Sequence, residues 1–89
     1  MPFVYILRCA DGSLYTGAAK DLKRRLAQHR AGRASRYTRA RLPVQLVFEK
    51  RVRTWSRALR EEHRVKRLSR AQKLDLIRGT PEPARRSRL

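Results

Sequence analysis

The 89-residue sequence predicts an α+β domain built from three strands and three helices. Three observations carry that prediction. Two β-rich runs flank an Ala10-Asp11-Gly12 turn, a third strand-like run lies at 44–48, and inward-facing stripes at helical spacing cover 22–29, 55–68 and 74–77. A single domain is expected over 1–79, followed by a basic tail over 80–89 that is expected to be disordered.

The first run, Phe3-Val4-Tyr5-Ile6-Leu7-Arg8, is rich in β-formers and apolar on both faces, which suits a strand covered on both sides. The chain turns at Ala10-Asp11-Gly12 and returns through Ser13-Leu14-Tyr15-Thr16-Gly17. Loop length decides which side chains share a face. A two-residue loop pairs Tyr15 with Arg8 and sends Tyr5 and Tyr15 to opposite faces. A three-residue loop, with Gly12 left-handed, pairs Tyr15 with Leu7 and puts both tyrosines on one face. Asp-Gly fits either, so the local sequence leaves the register open.

A helix follows from Asp21 to about Ala31, opened by a capping carboxylate and closed at Gly32. Its inward stripe is Leu22, Arg25, Leu26 and His29, at i, i+3, i+4 and i+7. Two polar residues on that stripe suit the lining of a site better than packing. Residues 33–43 read as a basic loop holding Tyr37 and Thr38, and Val44-Gln45-Leu46-Val47-Phe48 alternates as the third strand, extending toward Val52. The second helix begins at Thr54–Ser56 and runs to about Leu68, with Trp55, Ala58, Leu59, Glu62, Val65 and then Leu68 or Ser69 facing inward. Glu62 is costly on an apolar stripe without a partner, whereas Glu61, about 100° around the helix, is expected to face outward. An ion pair with Lys66 or a nearby arginine is the plain structural role for Glu62. Ser69-Arg70-Ala71-Gln72 has capping-box spacing and starts a third helix carrying Leu74, Leu76 and Ile77, ended by Gly79 and Pro81.

Charge narrows the partners. Lys and Arg total 24 against 7 Asp and Glu, for a net charge of +17. Self-repulsion at that density is relieved by a polyanion, so nucleic acid is the expected partner and an anionic membrane surface a distant second. Arginine predominates, which favours bidentate phosphate contacts. The single Cys9 forms no internal disulfide, and the N-terminal apolar run is too short for a signal or a membrane span, so a cytoplasmic location is expected. One cysteine and two distant histidines lack zinc spacing, and neither a glycine-rich phosphate loop nor a nucleophile elbow is present. No small-molecule cofactor is expected.

What remains is Tyr5, Tyr15, Arg25, His29 and Glu62, with Gly17 ending its strand. That set suits phosphodiester hydrolysis. A tyrosine near cations has a lowered pKa and orients or deprotonates water, an arginine braces charge on phosphorus, and one carboxylate holds a Mg²⁺ completed by water and phosphate oxygens. Arg33, Arg36, Thr38, Arg39, Arg41 and Lys66 are expected to contact the nucleic acid. Tyr37 either stacks on an unpaired base or closes the loop over the core.

Val4-Tyr5-Ile6, Tyr15-Thr16-Gly17 and the run from Ala18 to His29, in order and at this spacing, resemble the GIY-YIG nuclease superfamily. Arg36-Tyr37-Thr38, Pro43 to Val47, Ala58 to Lys66 and Leu68 to Lys73 are similar to its small stand-alone bacterial members, so the resemblance covers roughly residues 3–78. It implies a three-stranded antiparallel sheet flanked by helices, with both tyrosines in one active site and hence the three-residue hairpin loop. It also implies metal-assisted hydrolysis of DNA with Mg²⁺ or Mn²⁺, a tyrosine as general base, Arg25 on the phosphate, Glu62 on the metal and His29 as a polar assistant. The sequence departs from the pattern in lacking the glycine before Tyr5, in Thr16 where isoleucine is expected, in Ala19 where many relatives carry a hydroxyl, and in having no asparagine. Two functions follow as expectations: a DNA endonuclease or repair factor of low sequence specificity, or a non-catalytic module binding DNA or structured RNA on the same fold.

Overall fold

The computed structural model describes residues 1–79, so the expected tail over 80–89 lies outside the described residues. In chain order the elements are β1 (Phe3–Arg8), β2 (Leu14–Ala19), α1 (Leu22–Arg30), α2 (Arg36–Arg39), β3 (Gln45–Arg51), α3 (Trp55–Lys66) and α4 (Arg70–Arg78). The strands form an antiparallel sheet in the order β2-β1-β3. Its central strand is the apolar first run, and Val4, Tyr5, Ile6 and Leu7 are all fully buried. Burial on both faces explains why β1 shows no polar alternation. Tyr5 and Leu7 pack on one side with Leu22 and Leu26 of α1, while Ile6 packs on the other with Val65, Leu68, Leu76 and Ile77.

The hairpin takes its three-residue loop. The Cys9 N–H donates to the Ser13 carbonyl at 2.9 Å, the Gly12 N–H donates to the Cys9 carbonyl at 2.9 Å, and Gly12 has φ +85°. Leu7 therefore faces Tyr15 and Tyr5 faces Gly17, which places both tyrosines on the α1 side of the sheet. Cys9 itself is buried core.

The helices follow their local signals. The Asp21 carboxylate accepts from the Arg24 N–H at 3.0 Å, and Leu22 and His29 are buried with Arg25 and Leu26 half-buried, as the stripe required. Ser69 and Gln72 close the expected capping box.

Four expectations are corrected. Residues 33–43 are not all loop, because Ser35 accepts from the Thr38 N–H at 3.1 Å and caps the short helix α2. The third strand does not alternate throughout. Ile6 pairs with Phe48 but Leu7 with Leu46, so Val47 is an extra residue at a bulge and joins Phe48 in the α3–α4 layer. Leu59 is 44% exposed, because α3 rests on the sheet along a narrow line through Ala58 and Val65, leaving its neighbour about 100° away in solvent. Glu61 does not face freely outward. Lys50 of β3 reaches it at 3.1 Å and Arg64 at 2.6 Å, and this doubly bonded carboxyl titrates at about 2.

Candidate active site

The Tyr5 hydroxyl is the centre of the arrangement. Its ring crosses to Gly17 on the neighbouring strand, so closely that a Cβ there would sit 2.5 Å from the hydroxyl oxygen and 2.6 Å from Cζ. Only a residue without a side chain leaves room for the phenol, which accounts for the glycine two residues after Tyr15.

His29 arrives from α1 and is completely buried. Its Nε2 lies 2.9 Å from the Tyr5 hydroxyl and its Nδ1 lies 2.9 Å from the Thr38 hydroxyl. The Thr38 hydroxyl donates to the Ser35 carbonyl at 3.4 Å. Ser35 Oγ also lies 3.1 Å from it; with the Thr38 proton spent on Ser35, Thr38 accepts from Nδ1–H and Nε2 accepts the Tyr5 O–H. Burial, with the Arg25 guanidinium adding to it, holds the His29 pKa below its ordinary value and keeps the ring neutral. Both tyrosine rings meet the imidazole edge to face, at 5.7 Å for Tyr5 and 5.3 Å for Tyr15.

The electrostatics of Tyr5 identify its neighbours. Burial, and secondarily the nearby Tyr15 phenol and Glu62 carboxylate, push its pKa up to about 12. The Arg25 guanidinium pulls the other way and loses. A lowered tyrosine pKa was expected, and for Tyr5 desolvation overrides the cation. Tyr5, Gly17, His29 and Tyr15 thus meet directly, and Arg25 and Glu62 lie near enough to act on the Tyr5 phenol electrostatically. Arg25 and Trp55 share the lining of an open cleft of about 380 Å³, and Tyr15, Tyr37, Lys66 and Lys73 line another of about 310 Å³.

Glu62 presents itself from α3 and meets Lys66 at 3.3 Å, one helical turn away. The described residues include no group of three or more His, Cys, Asp or Glu side chains able to hold a metal. Both His29 nitrogens are already engaged. A soft or nitrogen-seeking ion therefore has no ligand set here. One half-buried carboxylate does fit a hard ion such as Mg²⁺ or Mn²⁺, which keeps several waters and takes phosphate oxygens. Lys66 must then yield, and its exposed, flexible side chain makes that easy.

The expected nucleic-acid contacts divide. Arg33, Arg36 and Arg39 are exposed on and before α2. Arg41 is already committed, donating to Asp11 at 3.1 Å and to the Tyr37 carbonyl at 3.0 Å, with its guanidinium 3.8 Å from the Tyr37 ring centre. Tyr37 also stacks on Tyr15 at 6.0 Å and forms part of the site wall, with aromatic surface still 38% exposed. Thr38 is completely buried and is a partner of His29, out of reach of a nucleic acid. That pairing is the functional detail sequence reasoning missed; the Ser-x-x-Thr spacing of a helix cap at 35–38 was its only local signal.

Among the described residues no helix is long and apolar enough to cross a membrane. Residues 1–75 match the family described as the GIY-YIG catalytic domain. A UPF0213 protein of Staphylococcus saprophyticus is 48% identical over 75 residues, covering 84% of this chain and 92% of its own. One from Staphylococcus aureus is 47% identical over 76 residues, covering 85% and 93%. The solution NMR structure of a UPF0213 protein from Bacillus halodurans is similar with a TM-score of 0.62 at 40% identity, over 98% of this chain and 94% of that one. With two tyrosines, an arginine, a histidine and a glutamate gathered on the matching fold, this chain belongs to the GIY-YIG catalytic domain family of nucleases.

Proposed function

We propose that the protein is a metal-dependent endonuclease that hydrolyses phosphodiester bonds in DNA with low sequence specificity, in DNA repair or processing. The observation that carries this reading is the pair of tyrosines packed edge-on against His29, with the Tyr5 hydroxyl bonded to its Nε2 and Arg25 and Glu62 near enough to act on that phenol electrostatically. Burial, and secondarily the Tyr15 phenol beside it, hold Tyr5 in its neutral form. Tyr5 is the neutral one, with its proton directed to His29 and its oxygen left to orient water. Tyr15, half-buried at the mouth of a cleft, accepts the proton of the attacking water. Arg25 steadies the phosphate as negative charge builds on it, in a partly dry setting where that charge counts for more than in water. Glu62 would hold the Mg²⁺ or Mn²⁺. When bound, that ion neutralises charge on the phosphate oxygens and lowers the pKa of its water. Arg33, Arg36 and Arg39 hold the strand on either side of the cleaved step.

The Lys66–Glu62 ion pair favours a second reading, a binding module in which the carboxylate is spent on structure. Cleavage of end-labelled DNA, with Mg²⁺ and with EDTA, separates the two. The endonuclease reading expects products that need the metal and that fall by about two orders of magnitude in Glu62→Gln and in Tyr15→Phe. Equal background products from wild type and both variants would establish the binding module.

A further inference from the structure

A second basic cleft lies on the opposite flank of α3. It encloses about 700 Å³ between the outer edge of β3 and α3, and is lined by six cations, Lys50, Arg51, Arg53, Arg57, Arg60 and Arg64, with Glu61 as its one acid. Adjacent residues of α3 therefore serve different clefts: Glu62 belongs with Tyr5, while Glu61, about 100° away, ties Lys50 to Arg64 across this one. We infer that this cleft binds the phosphate backbone of the nucleic acid at a place separate from the cleaved bond, giving the protein a second hold on its substrate.

Protection of a sheet edge does not explain the pattern. Lys50 and Arg51 sit on β3, whose outer edge is unpaired among the described strands, and cations there discourage edge-to-edge pairing. Arg57, Arg60 and Arg64 sit on the helix, at i, i+3 and i+7 along one flank. Like charges at that spacing repel and weaken a helix, so structure alone selects against them. A row of phosphates relieves the repulsion and releases counterions. The bonds from Glu61 keep Lys50 and Arg64 in place as the wall of the cleft. The molecule measures 28 × 28 × 27 Å, so a duplex of about 8 base pairs spans it, a stem of about 16 has phosphates to offer both clefts, and one of about 6 covers only part of the surface.

The inference rests on a nucleic-acid substrate but not on cleavage, and its test reads binding alone. The Glu62→Gln full-length chain serves as background, with DNA hairpins of about 6 and about 16 base pairs in the stem, titrated across a range of salt. Arg53→Gln with Arg57→Gln is compared with an equal loss of charge beyond the end of α3, Arg67→Gln with Arg70→Gln. The cleft variant is expected to lower the slope of log K against log salt by about 1.8 on the long stem, at about 0.9 per phosphate contact, and to leave the short stem nearly unchanged. The control pair is expected to change both stems equally and little. Equal losses from the two pairs, or a loss independent of stem length, would overturn the second hold and leave only diffuse charge. Preferential loss of binding to vesicles containing anionic lipid, with DNA binding unaffected, would assign the cleft to a membrane surface instead. A Glu62→Gln chain that still cleaves would fail the endonuclease mechanism without touching this result.

Discussion

Gly17→Ala probes the point on which the site geometry turns. A methyl group on residue 17 would lie 2.5, 2.6 and 3.1 Å from Oη, Cζ and Cε1 of Tyr5, against an ordinary separation of roughly 3.5–4.0 Å. The phenol must therefore withdraw by about 1 Å. It has nowhere easy to go, because Tyr5 is 1% exposed and its hydroxyl is bonded to His29. Overpacking of this kind costs about 2 kcal/mol, which in a chain of this size lowers the melting temperature by roughly 8–16 °C. A displacement of about 1 Å at the reacting oxygen is also expected to cost about 100-fold in cleavage. Melting followed by circular dichroism and cleavage under single-turnover conditions read the two effects. A Gly17→Ala protein that melts within about 2 °C of wild type and cleaves at its rate would refute the packing argument.

Thr38→Val removes the acceptor for His29 Nδ1 and leaves a buried ring nitrogen unpaired, so it is expected to cost about 1–3 kcal/mol in urea unfolding, while Thr38→Ser retains most of the stability. Thr16→Val acts in the opposite sense. The Thr16 hydroxyl is buried with no hydrogen-bond partner among the described residues, and its removal is expected to raise the urea midpoint by the equivalent of about 1 kcal/mol with m unchanged. Stability is expected to be greatest between about pH 6.5 and 10. Below the unfolded histidine value of 6.5 the unfolded chain takes up a proton that buried His29, with its lowered pKa, refuses, so stability falls as pH falls. Above the unfolded tyrosine value of 10.0 the unfolded chain loses a proton that Tyr5 keeps until about pH 12, so stability falls again. A urea midpoint that is flat between pH 7 and 5, or a fall abolished by replacing exposed His63 instead of His29, would contradict the acid limb.

Much of this arrangement was legible because it is written in local periods. The 3.6-residue repeat put Arg25 and His29 on one stripe, Asp21 and Ser69 marked helix starts, and Gly12 allowed the odd hairpin loop that brings Tyr5 and Tyr15 together. That loop was not forced by Asp11-Gly12 alone, since either length fits; family resemblance decided the register. The misreadings lie where distant elements meet. Nothing near Thr38 says that α2 folds back so that its hydroxyl reaches His29, nine residues away. Glu61 reads as solvent-facing until Lys50 of β3 is seen beside it, and the extra residue Val47 breaks an alternation that looked regular. A tyrosine among these cations was expected to be acidified, and for Tyr5 its depth in the sheet reverses the sign.

The central claim is that one phosphate is held between Arg25 and the tyrosines, with a metal at Glu62. Anomalous diffraction from crystals of the full chain grown with Mn²⁺ and an uncleavable oligonucleotide tests it most directly. The account predicts a manganese peak at the Glu62 carboxylate, Lys66 released, and a phosphate within hydrogen-bonding distance of Arg25 with the Tyr15 hydroxyl facing it. Manganese bound elsewhere, with Glu62 still paired to Lys66 and the strand away from both tyrosines, would contradict it.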